Sequence, residues 1–340
     1  MFFKDSRLQN FRGFEKLELI WSPEINLILG SNGSGKTNTL ESLSILSGWG
    51  GFANTRNLIS WSNPHSPAYM SANISGEEDF KVTAKITNKT SIQLDGKKIT
   101  CTDLRVKLPA VTFLTGGINL IDGTPAARRL FLDKLCALIF PPYAKLLSDF
   151  KLVNKARINL LRSKRPANST TLLFCKTGGY IMEIRREIIS QLKNFMNGAN
   201  NFNIAVMPEL ENFSGAEFLY NSLKKNRERE IFAQRPLSGV NYDDLIFTVN
   251  NKPASEFLSR GQKRMLILDL IIIAGNLIYS RLRRKPVLFF DDLTAELDKA
   301  ARENVLSKLK NTGWQIFLTA PENPFNKKFK FGGINFSVSR

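Results

Sequence analysis

One run of eight residues constrains this chain more than any other: Gly30-Ser31-Asn32-Gly33-Ser34-Gly35-Lys36-Thr37. It fits G-x-x-x-x-G-K-[ST] at every position, with an apolar strand pattern running directly in (Ile25 to Leu29) and a helical pattern running directly out (Thr37 to Leu46). The glycines let the backbone turn tightly, so that successive N–H groups point inward and cradle phosphate oxygens. Lys36 brings a point charge to the β- and γ-phosphates. The Thr37 hydroxyl ligates Mg²⁺, an ion that usually keeps several waters beside one or two protein oxygens. The helix beginning there adds the positive end of its dipole. A nucleotide site is therefore expected along Gly30, Ser31, Asn32, Gly33, Ser34, Gly35, Lys36 and Thr37.

A second stretch supplies acid. Pro286-Val287-Leu288-Phe289-Phe290-Asp291-Asp292 is an apolar strand ending in two carboxylates. Beside the phosphate loop, Asp291 would stand on the metal or in its outer shell, and Asp292 would polarise the attacking water. The alternative for Asp292 is a turn cap. Upstream, Leu258-Ser259-Arg260-Gly261-Gln262 opens a long apolar helix. Ser259 is a good N-cap and Gly261 permits close backbone approach, so this helix start is a second anion site. The most apolar part, Met265 to Tyr279, carries Asp269 and Asn276 and is shorter than a bilayer span, which makes it a buried helix.

Around these motifs the two ends of the chain read as α/β and the middle as helical. Strand patterns lie at Leu17 to Trp21 and along Phe80 to Ile99, where Asp95-Gly96 signals a hairpin. From Ala126 to Asn226 apolar residues recur at three and four, with breakers at Pro141-Pro142, Arg165-Pro166 and Gly178-Gly179. Strands return at Leu245 to Val249, before an Asn250-Asn251 turn, at Val287 to Phe290 and at Gln315 to Thr319, with a helix at Lys299 to Lys310. An α/β domain is expected in two parts, 1–120 and 236–340, that share one sheet and are split by a mainly helical insertion, 121–235.

Charge points to a class of partner. Lys and Arg total 48 against 30 Asp and Glu, a net +18, and half of that excess falls between residues 121 and 235. Such a field attracts polyanions, DNA or RNA being the usual ones; a solubilising surface and anionic lipid are the alternatives. The single histidine, His65, rules out a Ser-His-Asp triad and a His-based metal site. Three dispersed cysteines, Cys101, Cys136 and Cys175, and charges within the first seven residues in place of a signal peptide's apolar stretch fit reduced thiols in the cytoplasm.

The motifs, in this order, resemble the ABC-type ATPases of the SMC and RecF group, and most closely its RecF branch. Leu8 to Phe14 is similar to the opening strand of that group, which makes Arg12 a nucleotide contact. Gly123 to Asp133 resembles a segment of the RecF branch, Leu258 to Arg264 its signature, and Phe289 to Asp298 its acidic strand with the loop that crosses a dimer interface. The resemblance implies an ABC-type ATPase head, a P-loop NTPase sheet with an inserted mainly helical subdomain. It implies ATP and Mg²⁺ held in a homodimer, with phosphate loop and acidic strand from one copy and Ser259, Gly261 and Gln262 from the other. It also implies slow hydrolysis used as a switch, binding to gapped or duplex DNA in recombinational repair and replication restart, and cooperation with RecO and RecR. Candidate phosphate contacts are Lys151, Lys155, Arg157, Arg162, Lys164 and Arg165, and a second cluster of Lys224, Lys225, Arg227 and Arg229. Three features depart from the group: Gly239 to Asp244 replaces Gly-Pro-His-Arg-Asp-Asp, Pro109 to Gly117 lacks the lobe-coupling glutamine, and no histidine follows Thr319. Two rival readings stand beside this one, an SMC-like head serving a partner nuclease and the ATPase subunit of a transporter. The transporter reading calls for a membrane partner, a near-neutral charge and a switch histidine.

Overall fold

The computed structural model describes residues 1–50, 55–113, 120–163, 165, 168–196, 202–210, 213–325 and 332–336. The chain forms two compact units, Met1–Gly117 together with Arg260–Arg340, and Ile118–Ser259.

The N-terminal segment of the first unit contains β1 (Phe2–Phe11), β2 (Phe14–Ile20), β3 (Ile25–Gly30), α1 (Lys36–Leu46), β4 (Ala68–Ser75), β5 (Phe80–Ile86), β6 (Thr90–Leu94), β7 (Lys97–Lys98), α2 (Cys101–Lys107) and β8 (Ala110–Phe113). Six of the strands form an antiparallel sheet in the order β2-β1-β4-β5-β6-β7. Along β4 and β5 every second residue is buried, the period of two that packs one face and leaves the other in water. Asp95 and Gly96, both at positive φ, make the tight turn between β6 and β7. A further turn at 87–89 divides the expected two-stranded hairpin into three strands.

The second unit holds α3 (Pro125–Ile139), α4 (Tyr143–Arg162), α5 (Asn168–Asn194), β9 (Phe202–Met207), α6 (Gly215–Lys225), α7 (Arg227–Ala233), β10 (Asp244–Val249), β11 (Lys252–Pro253) and the short α8 (Ala254–Phe257). The chain then returns to the first unit with α9 (Arg260–Leu282), β12 (Val287–Phe290), α10 (Lys299–Thr312), β13 (Ile316–Ala320) and β14 (Gly332–Phe336). These strands join β3 and β8 in an all-parallel sheet, order β14-β3-β13-β12-β8. Every residue of β12 and β13 is buried, as expected of parallel strands covered on both faces.

Helix α1 lies within one core that spans both sheets. Its Leu40, Leu43 and Leu46 are buried with Phe3, Leu8, Met70 and Val82 of the antiparallel sheet and with Phe289 and Phe317 of the parallel one. Gln315, ahead of β13, joins the chain's two ends: its side chain accepts from Phe3 N at 2.7 Å and donates to Phe3 O at 2.8 Å. Helix α9 is long and apolar enough to cross a membrane, but here Leu266, Ile267, Leu270, Ala274, Leu277 and Ile278 are buried within the protein.

Three expectations change. The boundary expected at 235/236 falls at 259/260, because β10 pairs with β9 and β11 in a sheet of the second unit. The stretch expected to be helical through Asn226 contains β9, whose alternating burial is short enough to be lost among helical spacings. Gly178-Gly179 does not break a helix but lies inside α5, because α6 crosses there at backbone contact. A Cβ on Gly179 would stand 2.2 Å from Ala216 N, and one on Gly215 2.3 Å from Gly179 O.

The second unit is organised on charge as well as packing. Arg185, 1% exposed, donates to Asp133 Oδ1 at 2.8 Å, to Asp243 Oδ2 at 2.7 Å and to Val240 O at 2.8 Å. Burial opposes its charge, but Tyr143, Asp133 and Asp243 outweigh that and raise its pKa. Arg128 closes a two-bonded pair with Asp244 at 2.7 and 2.8 Å, and Arg129 donates to Asp243 O at 2.8 Å. The Gly239–Asp244 segment thus ties α3 and α5 to β10 through its two acids. Arg185→Met leaves Asp133 and Asp243 without their shared partner, and breaking a buried pair on one side costs roughly 3–5 kcal/mol. Urea or thermal unfolding of the variant is expected to show that loss.

Candidate nucleotide site

The site grows from the end of β3. Gly30 closes the strand, and α1 starts at Lys36 with Gly35 as its N-cap at φ 100. At Gly35 a Cβ would meet that strained backbone and the Phe14 ring at 2.5 Å, so only glycine fits. Ser31, Asn32, Gly33 and Thr37 face solvent along the rim. Lys36 is buried at 6% exposure and folds back over the loop, donating to Gly30 O at 2.7 Å and Ser31 O at 3.0 Å.

Strand β12 brings the acids to the same edge. Thr37 Oγ1 donates to Asp291 Oδ2 at 3.0 Å, and Thr319 Oγ1, from the end of the intervening β13, donates to Asp291 Oδ1 at 2.6 Å. Thr319 also accepts from Asp292 N at 3.0 Å, so one hydroxyl holds both acidic residues in register. Asp291 is 1% exposed, in reach of the Thr37 hydroxyl that the sequence paired with it as a metal ligand. Asp292 sits at φ 49, and burial first, then the charge of Asp291, push its carboxyl above the ordinary value against the pull of Lys36 and Arg264.

Two buried polar atoms are left without partners here, Ser34 Oγ and Asp292 Oδ1. Buried polar atoms are normally satisfied, so a loop hydroxyl and an acid oxygen left orphaned at one sheet edge fit a bound group that accepts and donates hydrogen bonds. The donor set fits a nucleotide and a hard divalent cation: backbone N–H groups and Lys36 for phosphates, Thr37 and Asp291 for an ion that retains waters. Among the described residues no cluster of three or more His, Cys, Asp or Glu side chains forms a separate metal cage.

The signature residues are placed differently. Gly261 and Gln262 lie in the first turn of α9, directly after the exposed Ser259. A Cβ on Gly261 would touch Leu297 at 3.6 Å, so this helix start packs on the Thr294–Asp298 loop, with Arg260 reaching Glu296 at 3.4 Å. One turn on, Arg264 Nη1 donates to Asp292 O at 2.6 Å, a link between signature helix and acidic strand that sequence reasoning missed. The Arg–carbonyl pairing has no spacing signal to reveal it.

Other candidates resolve from their contacts. Arg12, expected on the nucleotide, forks onto Glu41 of α1 at 2.8 and 3.0 Å, holding the helix that carries the loop. Arg157, expected on DNA, is buried and paired with Glu230 at 2.6 Å, because α7 packs over α4 at that point; it is withdrawn from the DNA-facing set. Lys151, Lys155, Arg162, Arg165, Lys224, Lys225, Arg227 and Arg229 are exposed, while Lys164 and residues 114–117 of the expected coupling stretch (109–117) lie outside the described residues. Cys136 and Cys175 are buried, and burial pushes the Cys175 thiol up to about 11, which leaves it unreactive at neutral pH.

Comparison with known proteins identifies the family and the fold. A family model described as RecF/RecN/SMC N terminal domain matches residues 2–335. The DNA replication and repair protein RecF of Bacillus mycoides is 30% identical over 352 residues, covering 94% of this chain and 92% of that protein. RecF of Bacillus cereus strain B4264 is 29% identical over 360 residues with the same coverage. Among solved structures, the recombination mediator protein RecF-ATPrS of the RecFOR pathway superposes with TM-score 0.84 at 23% identity, covering 96% of this chain and 94% of that one. An Smc head domain from Pyrococcus furiosus gives TM-score 0.53 at 17% identity, with coverage of 95% and 90%. Both structural likenesses establish the ABC-type head fold. The chain belongs to the RecF/RecN/SMC N terminal domain family, within its group of RecF proteins of DNA replication and repair.

Proposed function

We propose that this protein binds ATP with Mg²⁺, closes as a homodimer around it on DNA near single-strand gaps, and lets go when ATP is hydrolysed. The observation that carries the reading is the convergence of Lys36, Thr37, Asp291 and Asp292 at one edge of the parallel sheet, with Thr37 Oγ1 3.0 Å from Asp291. Lys36 and the N–H groups from Gly33 to Thr37 hold the phosphates, and Thr37 with Asp291 holds Mg²⁺. Bound ATP supplies the γ-phosphate by which one copy recognises Ser259, Gly261 and Gln262 of a second copy. Closure is then driven by the difference in affinity between the two nucleotide states. Asp292, with an oxygen left free of protein partners, orients and polarises water. Arg12 acts through Glu41, keeping α1 and its loop in place.

Three further observations support DNA as the target. The net charge is +18, two exposed basic clusters lie on the second unit, and the relatives are named for DNA replication and repair. Two weak DNA surfaces joined in a dimer bind with avidity, so modest dimer stability gives a large change in DNA affinity. RecO and RecR are the partners that likeness to a recombination mediator of the RecFOR pathway suggests, in the cytoplasm.

Binding of a fluorescent gapped duplex at fixed salt tests the reading with wild type in ATP, wild type in ADP, and Ser259→Arg in ATP. Tight binding is expected only for wild type in ATP; equal binding in all three would contradict an ATP gate. Asp292→Asn is expected to slow ATP turnover by roughly 10²–10⁴-fold while nucleotide still binds. Unchanged turnover would remove Asp292 from the reaction.

A further inference from the structure

The junction of α6 and α7 presents an arrangement that the nucleotide site does not use. Phe232 is 93% exposed, the most exposed large apolar side chain among the described residues, and Ile231 beside it is 41% exposed. Exposing a whole phenyl ring forgoes its hydrophobic burial, so a fold that could tuck it away would gain by doing so. Here it cannot, because α7 is locked in rotation. Glu230, on the opposite face of the helix, is buried and held from two sides, by Arg157 Nη2 at 2.6 Å and by Leu237 N at 2.7 Å. With Glu230 fixed inward, the residue two positions on must point out.

The sequence on either side of the ring is cationic. Lys224 and Lys225 end α6, Arg227 and Arg229 lie on α7, and Arg235 follows its αL cap at Gln234. All five are exposed, and none of them forms an ion pair among the described residues. Arg229 lies three residues before Phe232 and so shares its side of the helix, while Glu228, four before, is the one acid on that side. The tip is therefore a projecting ring with Arg229 and Glu228 on its side of the helix and four more unpaired cations within the same twelve residues.

We infer that this tip reads the single-strand/double-strand junction, Phe232 stacking on the last exposed base while Lys224, Lys225, Arg227, Arg229 and Arg235 hold the flanking phosphates. The inference rests on the DNA-binding reading above and adds the residue that distinguishes a gap from continuous duplex. An aromatic ring needs an unstacked base face, which a gap offers and an intact duplex withholds, whereas the cations serve both alike. Charge complementarity selects the occupant: five unpaired cations within twelve residues match a phosphate backbone. A lone ring without an apolar groove around it suits the flat face of a base. Glu228 keeps phosphates toward Arg229 and leaves the ring to the base.

The test uses the full chain with ATP and two DNAs, a gapped duplex with 2-aminopurine as the last base at the junction and a continuous duplex of equal length. Phe232→Ala is expected to weaken gapped-DNA binding about 10-fold, to leave duplex binding within about twofold, and to abolish the stacking quench of 2-aminopurine; Phe232→Trp restores all three. Lys224→Glu with Arg227→Glu weakens both DNAs together. Because the ring is almost wholly solvent-exposed, the alanine variant should fold as wild type, which its unfolding midpoint checks. Equal loss on both DNAs, or no loss on either, overturns the inference while the ATP-gated DNA reading stands. Retained DNA binding by Phe232→Ala, with loss of binding to an acidic phenylalanine-containing peptide, assigns the ring to a protein partner and overturns it as well. Failure of the wild type to bind either DNA in ATP overturns both readings.

Discussion

The candidate site of the first unit depends on one contact across 254 residues of sequence, the hydrogen bond from Thr37 to Asp291. Neither residue has a function alone. A hydroxyl at the start of a helix and a carboxylate at the end of a strand come within hydrogen-bonding reach, as the proposed Mg²⁺ site requires, only when β3 and β12 lie in one sheet with their C-terminal ends together. Strand β13 between them sets the spacing, and its Thr319 holds Asp291 and Asp292 at once. Ligands of open parallel sheets gather at this carboxyl edge, where loops can converge without interrupting the ladder.

The sheet that brings these two residues together is built from both ends of the chain. The parallel sheet takes β3 and β8 from one end and β12, β13 and β14 from the other, so the first unit cannot form until the intervening 142 or so residues have been looped out, an entropic cost that grows only slowly with loop length. Gln315 bonding both ways to Phe3, and a core shared by Phe3, Phe289 and Phe317, hold the ends together. The looped-out residues stabilise themselves separately. Their buried arginines, Arg185 and Arg157, each find a carboxylate, and the Arg157–Glu230 pair sets which face of α7 points outward.

The parts of the site written as contiguous motifs were legible in the sequence. Gly30 to Thr37 and Asp291-Asp292 need particular residue types at fixed spacing, and the strands leading into them are continuous apolar runs. What depends on tertiary pairing was not legible. Arg157 sits among lysines and arginines and reads as one more surface cation, yet its partner Glu230 lies 73 residues away. Gly178-Gly179 looks like a break because close packing and turning both select glycine; only the crossing of α6 decides between them. Arg12 was placed in the right neighbourhood, but its partner Glu41 belongs to the helix that carries the phosphate loop. The short β9 carried its alternation for six residues, too few to stand out between helices, and with it the second unit's outer boundary moved.

The central claim is that the two halves of this site are completed by a second copy in the presence of a γ-phosphate. Sedimentation velocity of the full chain with Mg²⁺ and a slowly hydrolysed ATP analogue, compared with Mg²⁺ and ADP, tests it most directly. The account predicts a dimer with the analogue, a monomer with ADP, and a monomer in both for Ser259→Arg. The same mass with either nucleotide would contradict it.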